Sequence, residues 1–147
     1  MPPRPWCLRR RVLPQHTDHA GVMWHGAYVS WLEEARVEAL AAAGLDYCDL
    51  SARGLELPLV SLSIDYRQAL LHGDRAEIHS TLLPRRGPRL PWRSLILGPG
   101  RVLAAEAQVE LVLLDLSAGA ARRRLLRRLP ADLEAALERL AAGPDPA

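Results

Sequence analysis

Residues 24–43 constrain the fold of this chain more than any other stretch. Trp24, Tyr28, Trp31, Leu32, Ala35, Ala39 and Ala42 recur at intervals of three and four and form one stripe of a helix. Val29 and Leu40 add apolar surface to the far side, which also carries Ser30, Glu33 and Val37. A helix apolar on more than one side must be covered on more than one side. Gly44 follows directly and suits the left-handed residue that ends a helix.

The period then changes to two. Val60, Leu62, Ile64 and Tyr66 alternate with Ser61, Ser63, Asp65 and Arg67, the pattern of a half-buried strand. Gly73-Asp74 reads as a turn, after which Ala76, Ile78, Ser80 and Leu82 alternate with Glu77, His79 and Thr81. A basic turn at 84–89 leads to a strand at 90–97, where Pro91 favours a strand start or an edge. Gly98-Pro99-Gly100 is a tight connection to the longest predicted strand, 101–116. There Leu103, Ala105, Ala107, Val109, Leu111 and Leu113 share one face, and Glu106, Gln108 and Glu110 the other.

Ahead of the helix, 6–13 reads as a short strand stopped by Pro14, and behind it 46–56 is a loop with room for one helical turn. Pro130 suits the first position of a last helix at about 131–142, built on Leu133, Ala136, Leu137 and Leu140 and ended by Gly143-Pro144. Short connections favour antiparallel pairing. The expected class is α+β, a long central helix wrapped by a five-stranded antiparallel sheet. With 147 residues and no internal repeat, a single domain is expected over 1–147, its core at about 6–130.

Composition excludes several classes. Net charge is +2 and no aromatic residues interleave with the arginines, so no nucleic-acid partner is expected. No stretch approaches the roughly 20 apolar residues of a membrane span, and residues 1–11 lack the apolar run of a signal peptide. Cys7 and Cys48 form no C-x-x-C pair, which fits a reducing interior and a cytoplasmic protein. Without G-x-S-x-G, P-loop or G-x-G-x-x-G patterns, serine-hydrolase, nucleotide-hydrolase and dinucleotide-binding readings lack their usual signals.

Chemistry concentrates at 16–28, where His16, Asp18, His19 and His25 run directly into the long helix. A helix start presents unpaired N–H groups and partial positive charge. A carboxylate beside such an end can act as a base while amides hold a developing oxyanion. The plainer role for Asp18 is to cap its own loop. His16, Asp18, His19 and His25 also have the donor types for zinc or iron. Their spacing matches no H-E-x-x-H motif, and the expectation is a reaction without metal or other cofactor. Tyr28 lies one turn after His25 on the same face. Arg85, Arg86 and Arg89, and the run 122–128, are either phosphate-binding or solvated basic surface.

The segment H-T-D-H-A-G-V-M-W-H-G-A-Y-V-S-W-L-E-E-A-R, with the order of elements around it, resembles the hotdog-fold acyl-CoA thioesterases of the 4-hydroxybenzoyl-CoA thioesterase family. Asp18, Gly21, His25, Tyr28, Glu33, Ala35 and Arg36 fall on that family's D-x-D-x-x-G, H-x-x-Y and E-x-A-R pattern. His16 stands where an acidic residue is common, and Ala27 where Asn is common. The resemblance implies a homodimer or homotetramer with sites at the subunit interface, acting on acyl-CoA. It implies Asp18 as the catalytic carboxylate, activating water or attacking the carbonyl itself, with His25 assisting. Tyr28, Gly21, Leu57 and Leu59 would meet substrate, a backbone donor near 56–59 would polarise the thioester oxygen, and Arg85, Arg86 and Arg89 would meet the coenzyme phosphates. Hydrolysis of 1,4-dihydroxy-2-naphthoyl-CoA or of an acyl-carrier-protein thioester, and a non-catalytic acyl-CoA-binding module, are the alternatives.

Overall fold

The computed structural model describes residues 3–146. Strand β1 (Trp6–Arg11) and a single 3-10 turn (Pro14–His16) precede helix α1 (His25–Ala42). Helix α2 (Tyr47–Ala52) and the two-residue β2 (Leu55–Glu56) follow. Then come β3 (Leu59–Tyr66), β4 (Arg75–Leu82), β5 (Leu90–Leu97) and β6 (Leu103–Leu111). The short β7 (Leu114–Asp115) and β8 (Arg124–Leu125) lead to helix α3 (Ala131–Ala142).

Five strands form one antiparallel sheet in the order β1-β4-β5-β6-β3, and β2, β7 and β8 form a small second sheet. Helix α1 packs against β1 and β4. Trp31 and Leu32 of the helix are buried with Val12, Ile78 and Ile96. A second cluster, with Leu50, Trp92 and Leu140, lies toward α2 and α3. The two buried hydroxyls between the clusters, Ser80 and Ser94, satisfy each other at 2.7 Å. Arg139 of α3 donates through Nε to the Ala43 carbonyl at 2.8 Å, closing the open end of α1. The Trp6 indole N–H donates to the Leu140 carbonyl at 2.8 Å and joins the first strand to the last helix.

The helix and the sheet agree with the sequence reading, and the differences have physical causes. Trp24 stays outside α1 in extended conformation (φ −69°, ψ 140°) and is 52% exposed, while Ala27 and Leu40 take places on the buried face. Asp46 starts α2 by accepting the Cys48 amide at 2.8 Å, so the loop expected at 46–56 contains a short helix and a short strand. Pro130 is the residue before α3 rather than its first. The strand expected across 101–116 is broken. Val112 and Leu113 are both buried, which ends the alternation. The chain there leaves the main sheet, and Leu114 pairs with Glu56 and Leu125. Strand β3 is not half-buried: Leu59, Val60, Leu62 and Tyr66 are exposed, because α1 covers the far side of the sheet and β3 forms its free edge.

The core contacts set two stability expectations. Ile96 is fully buried, so Ile96→Ala should destabilise the fold by about 2–5 kcal/mol in urea unfolding. Ser80→Ala leaves the Ser94 hydroxyl unpaired in the interior and should cost about 1–3 kcal/mol in the same measurement.

Candidate active site

The loop between β1 and α1 is held by its own backbone and by the segment before β4. Val12 donates to Asp74 O at 2.8 Å, and Gly73 donates back to Val12 O at 2.9 Å. His72 donates to Gly21 O at 3.0 Å, and Val22 bridges Leu71. His16 is structural: its Nδ1 accepts the Leu13 amide at 3.0 Å, its carbonyl accepts the Trp24 amide at 2.8 Å, and its ring stands edge-on to Trp31 at 5.4 Å.

Within this loop Asp18 is fixed by four hydrogen bonds to backbone groups. Its amide donates to Val22 O at 2.9 Å, and its Oδ1 accepts from Ala20 N at 2.8 Å and Val22 N at 3.3 Å. Gly21, at φ +78°, returns the chain so that its amide meets Asp18 O at 3.1 Å. Asp18 therefore caps its loop with one carboxylate oxygen, and Oδ2 has no partner among the described residues. The side chain is exposed in the single chain.

Beside this loop a cleft of about 230 Å³ is lined by Val22, Met23, His25, Tyr28, Tyr66 and Gln68. His25 is the first residue of α1, exposed, with its ring 5.1 Å from that of Trp24. Tyr66 reaches from β3 and donates to the His25 carbonyl at 3.1 Å. Tyr28 is buried and meets Tyr66 edge to face at 5.0 Å and 85°. Burial pushes the Tyr28 hydroxyl above the usual phenol range, with a backbone hydrogen bond at Leu70 acting the other way. The period of two puts Tyr66 on a strand, and nothing local in the sequence ties it to His25.

The other candidates lie apart from this cleft. Leu57 is buried in the leucine-rich cluster, and its amide donates to the Tyr47 hydroxyl at 3.4 Å. Leu59 sits on the exposed edge of β3. Arg85, Arg86 and Arg89 occupy the turn after β4, whereas the Asp18 loop adjoins its start. Eight residues of strand, at roughly 3.3 Å each, put the two groups about 23 Å apart along β4. Arg86 and Arg89 both pair with Glu110, at 3.3 and 2.5 Å, and Arg85 donates to the Arg127 carbonyl at 3.2 Å. In the 122–128 run, Arg124 pairs with Asp115 at 3.0 Å.

His16, Asp18, His19 and His25 do not converge. Among the described residues the metal-type donors that do are Cys7, Glu77 and His79, on the solvent face where β1 pairs with β4. Here Glu77 is already engaged: His79 contacts it at 2.8 Å, and Arg101 and Arg9 lie at 3.6 and 3.8 Å. Burial and the adjacent carboxylate push the Cys7 thiol up, away from a reactive thiolate.

With this geometry in view, the likeness to known proteins is informative. The sequence profile of the thioesterase-like superfamily matches residues 12–138, and the chain belongs to that superfamily. A putative esterase of Synechocystis, sll0410, is 40% identical over 122 residues, covering 82% of this chain and 70% of its own. The acyl-CoA thioester hydrolase YbgC of Escherichia coli O6:H1 is 29% identical, over 71% of this chain and 78% of its own. Slr0204 of Synechocystis, a 1,4-dihydroxy-2-naphthoyl-CoA thioesterase of known structure, superposes with a TM-score of 0.80 at 26% identity, over 92% of this chain and 96% of its own. The architecture is the hotdog fold. No helix of the described residues is long and apolar enough to cross a membrane.

The Glu77 cluster yields a pH expectation. The hydrogen bond from His79, with Arg101 and Arg9 adding charge, holds the Glu77 carboxyl below its ordinary 4.5. A depressed folded value means stabilisation that is present above pH 4.5 and lost as the pH falls through the folded value. Glu77→Gln should flatten the acid-side loss of stability in urea titrations below pH 4.5.

Proposed function

We propose that this protein hydrolyses acyl-CoA thioesters to a free acid and coenzyme A, with Asp18 as the catalytic carboxylate. The carrying observation is the division of labour within that side chain. Oδ1 is pinned by the amides of Ala20 and Val22, Oδ2 has no partner among the described residues, and Val22, which holds the carboxylate, itself lines the cleft of His25, Tyr28 and Tyr66. A carboxylate oriented in this way takes a proton from water as the water attacks the thioester carbonyl. The C–S bond then breaks, and the thiolate leaves with a proton. His25 and Tyr28 position the acyl group or the water, and Gly21 gives the loop its shape. The reading extends from relatives such as YbgC, which carries the name of an acyl-CoA thioester hydrolase. A single domain of the 4-hydroxybenzoyl-CoA thioesterase kind acting without a metal is the form proposed, and exposed, unpaired Cys7 and Cys48 suit a reducing cytoplasm.

The exposed edge of β3 supports a second copy completing the site. A free sheet edge carrying Leu59, Val60, Leu62 and Tyr66 is a template for pairing, and Tyr66 on the same strand contacts the start of α1. In this reading two copies meet in a homodimer or homotetramer, and a backbone N–H near residues 56–59 of the other copy donates to the thioester oxygen. Slr0204 favours 1,4-dihydroxy-2-naphthoyl-CoA as a second reading of the substrate.

Free-thiol release with a panel of aromatic and aliphatic acyl-CoAs tests the activity. Asp18→Asn, shown to be folded by circular dichroism, should lower kcat by about 10²–10⁴-fold. A folded variant at the wild-type rate removes Asp18 from the chemistry, and binding without turnover across the panel makes the protein a binding module. Val60→Glu with Leu62→Glu should convert the dimer to monomer in sedimentation velocity and abolish turnover together with it.

A further inference from the structure

A thiol, an imidazole and a carboxylate meet on the outer face of the sheet, away from the Asp18 loop. Cys7 of β1 stands directly opposite His79 of β4, and Glu77 precedes His79 by two residues on the same face. The Cys7 Sγ lies 3.8 Å from His79 Nε2 and 3.9 Å from Glu77 Oε2, and those two atoms are 2.8 Å apart. On the other side of β4, β5 places Leu95 opposite His79 and Leu97 opposite Glu77. The imidazole and the carboxylate are only 19% and 28% exposed, while the thiol side opens to solvent.

The shape of this triangle decides between two uses. In a proton relay the carboxylate and the nucleophile contact opposite nitrogens of the ring. Here both partners meet the same nitrogen, Nε2, so the ring cannot pass a proton between them. A sulfur, a nitrogen and an oxygen gathered about one point form half-shell ligands for a metal ion instead. Zinc bonds are about 2.3 Å to thiolate and about 2.0–2.2 Å to imidazole or carboxylate, so one ion spans a sulfur and a second donor up to about 4.3 Å apart. All three separations fall within that reach. Thiolate and imidazole select a borderline-soft divalent ion over magnesium or calcium, which take oxygen ligands.

We propose that Cys7 Sγ, Glu77 Oε2 and His79 Nε2 bind one zinc-type divalent cation, its fourth position open to solvent, and that this ion staples β1 to β4. The thiol proton passes to solvent as the metal–sulfur bond forms. Burial and the nearby carboxylate keep that proton on the sulfur, and a cation set against the sulfur reverses the balance. Without an ion, His79, Arg9 and Arg101 share the Glu77 carboxylate. Both arginines are largely exposed and contact it only at 3.8 and 3.6 Å, so each can swing into water as the ion enters. Their charge still opposes the ion, which sets the affinity at about micromolar rather than that of a closed four-ligand site. The ion takes no part in thioester chemistry, since the Asp18 loop begins beyond the far end of β1 from Cys7.

The test titrates cobalt(II) and then zinc into the untagged, reduced full chain. Cobalt should give a thiolate-to-metal charge-transfer band that saturates at one equivalent per chain, and zinc should displace it. Cys7→Ser should abolish the band, and His79→Gln should weaken cobalt binding at least about tenfold. Cys48→Ser, which alters the other exposed thiol, should change neither. Arg9→Gln/Arg101→Gln should tighten binding about tenfold, a gain that no fold defect mimics. Zinc at a hundredfold above its Kd should raise the melting temperature of the wild type by about 5 °C and leave that of Cys7→Ser unmoved. Absence of the band in the wild type, its loss in Cys48→Ser rather than Cys7→Ser, or equal binding after His79→Gln would each overturn the assignment. So would weaker binding in the arginine variant, or more than one equivalent per chain, which marks adventitious surface binding. A band without a rise in melting temperature would overturn the staple.

Discussion

The burial of Trp31 is the contact on which the site depends. Its ring is in the core between α1 and the β1–β4–β5 part of the sheet, with Val12, Ile78 and Ile96 around it. A fully buried large apolar side chain contributes about 1.5–3 kcal/mol. The same indole is also the surface against which His16 stands, and His16 orders the turn leading to Asp18. Core packing and loop geometry thus share one side chain. The loop can be polar and exposed and still be well positioned, because its anchor lies in the interior.

The helix covers one side of a sheet wider than itself. Strands β1, β4 and β5 have their inner faces filled, and β3, the last strand on the other side, pairs with β6 on its inner side alone and leaves its apolar residues exposed. Both the apolar residues of that strand and the tyrosine that touches His25 are left at a margin. The cleft tyrosine and the unfilled apolar surface therefore lie on the same strand, whereas the Asp18 loop is held from the end of β1 and the segment before β4.

Periodicity made much of this legible. α1, β4 and β5 were readable because each has one face set by a single period, and Asp18 because a carboxylate just before an apolar helix is unusual. The break at Val112 was not readable: Leu111, Val112, Leu113 and Leu114 are all apolar, and no pattern within such a run says where a strand changes sheets. The exposure of β3 was hidden because alternation marks an apolar face without saying whether the helix reaches it. The opposition of Arg11 and Arg75 in the β1–β4 register was hidden because the two are 64 residues apart and meet only through the pairing of non-consecutive strands. The short α2 was hidden because it rests on one capping aspartate rather than on a stripe.

The bond from Trp6 to Leu140 joins residues 134 positions apart. As the chain emerges from a ribosome, β1 precedes the strand it pairs with by some 70 residues, and its tryptophan precedes the carbonyl that receives it by 134. Contacts of such separation form slowly because the intervening chain must be ordered first. Strand β1 is therefore locked only after β4 and the end of α3 have been made, and until then it waits as an edge that carries Arg9, Arg10 and Arg11, a charged strand poorly suited to pairing with others of its kind.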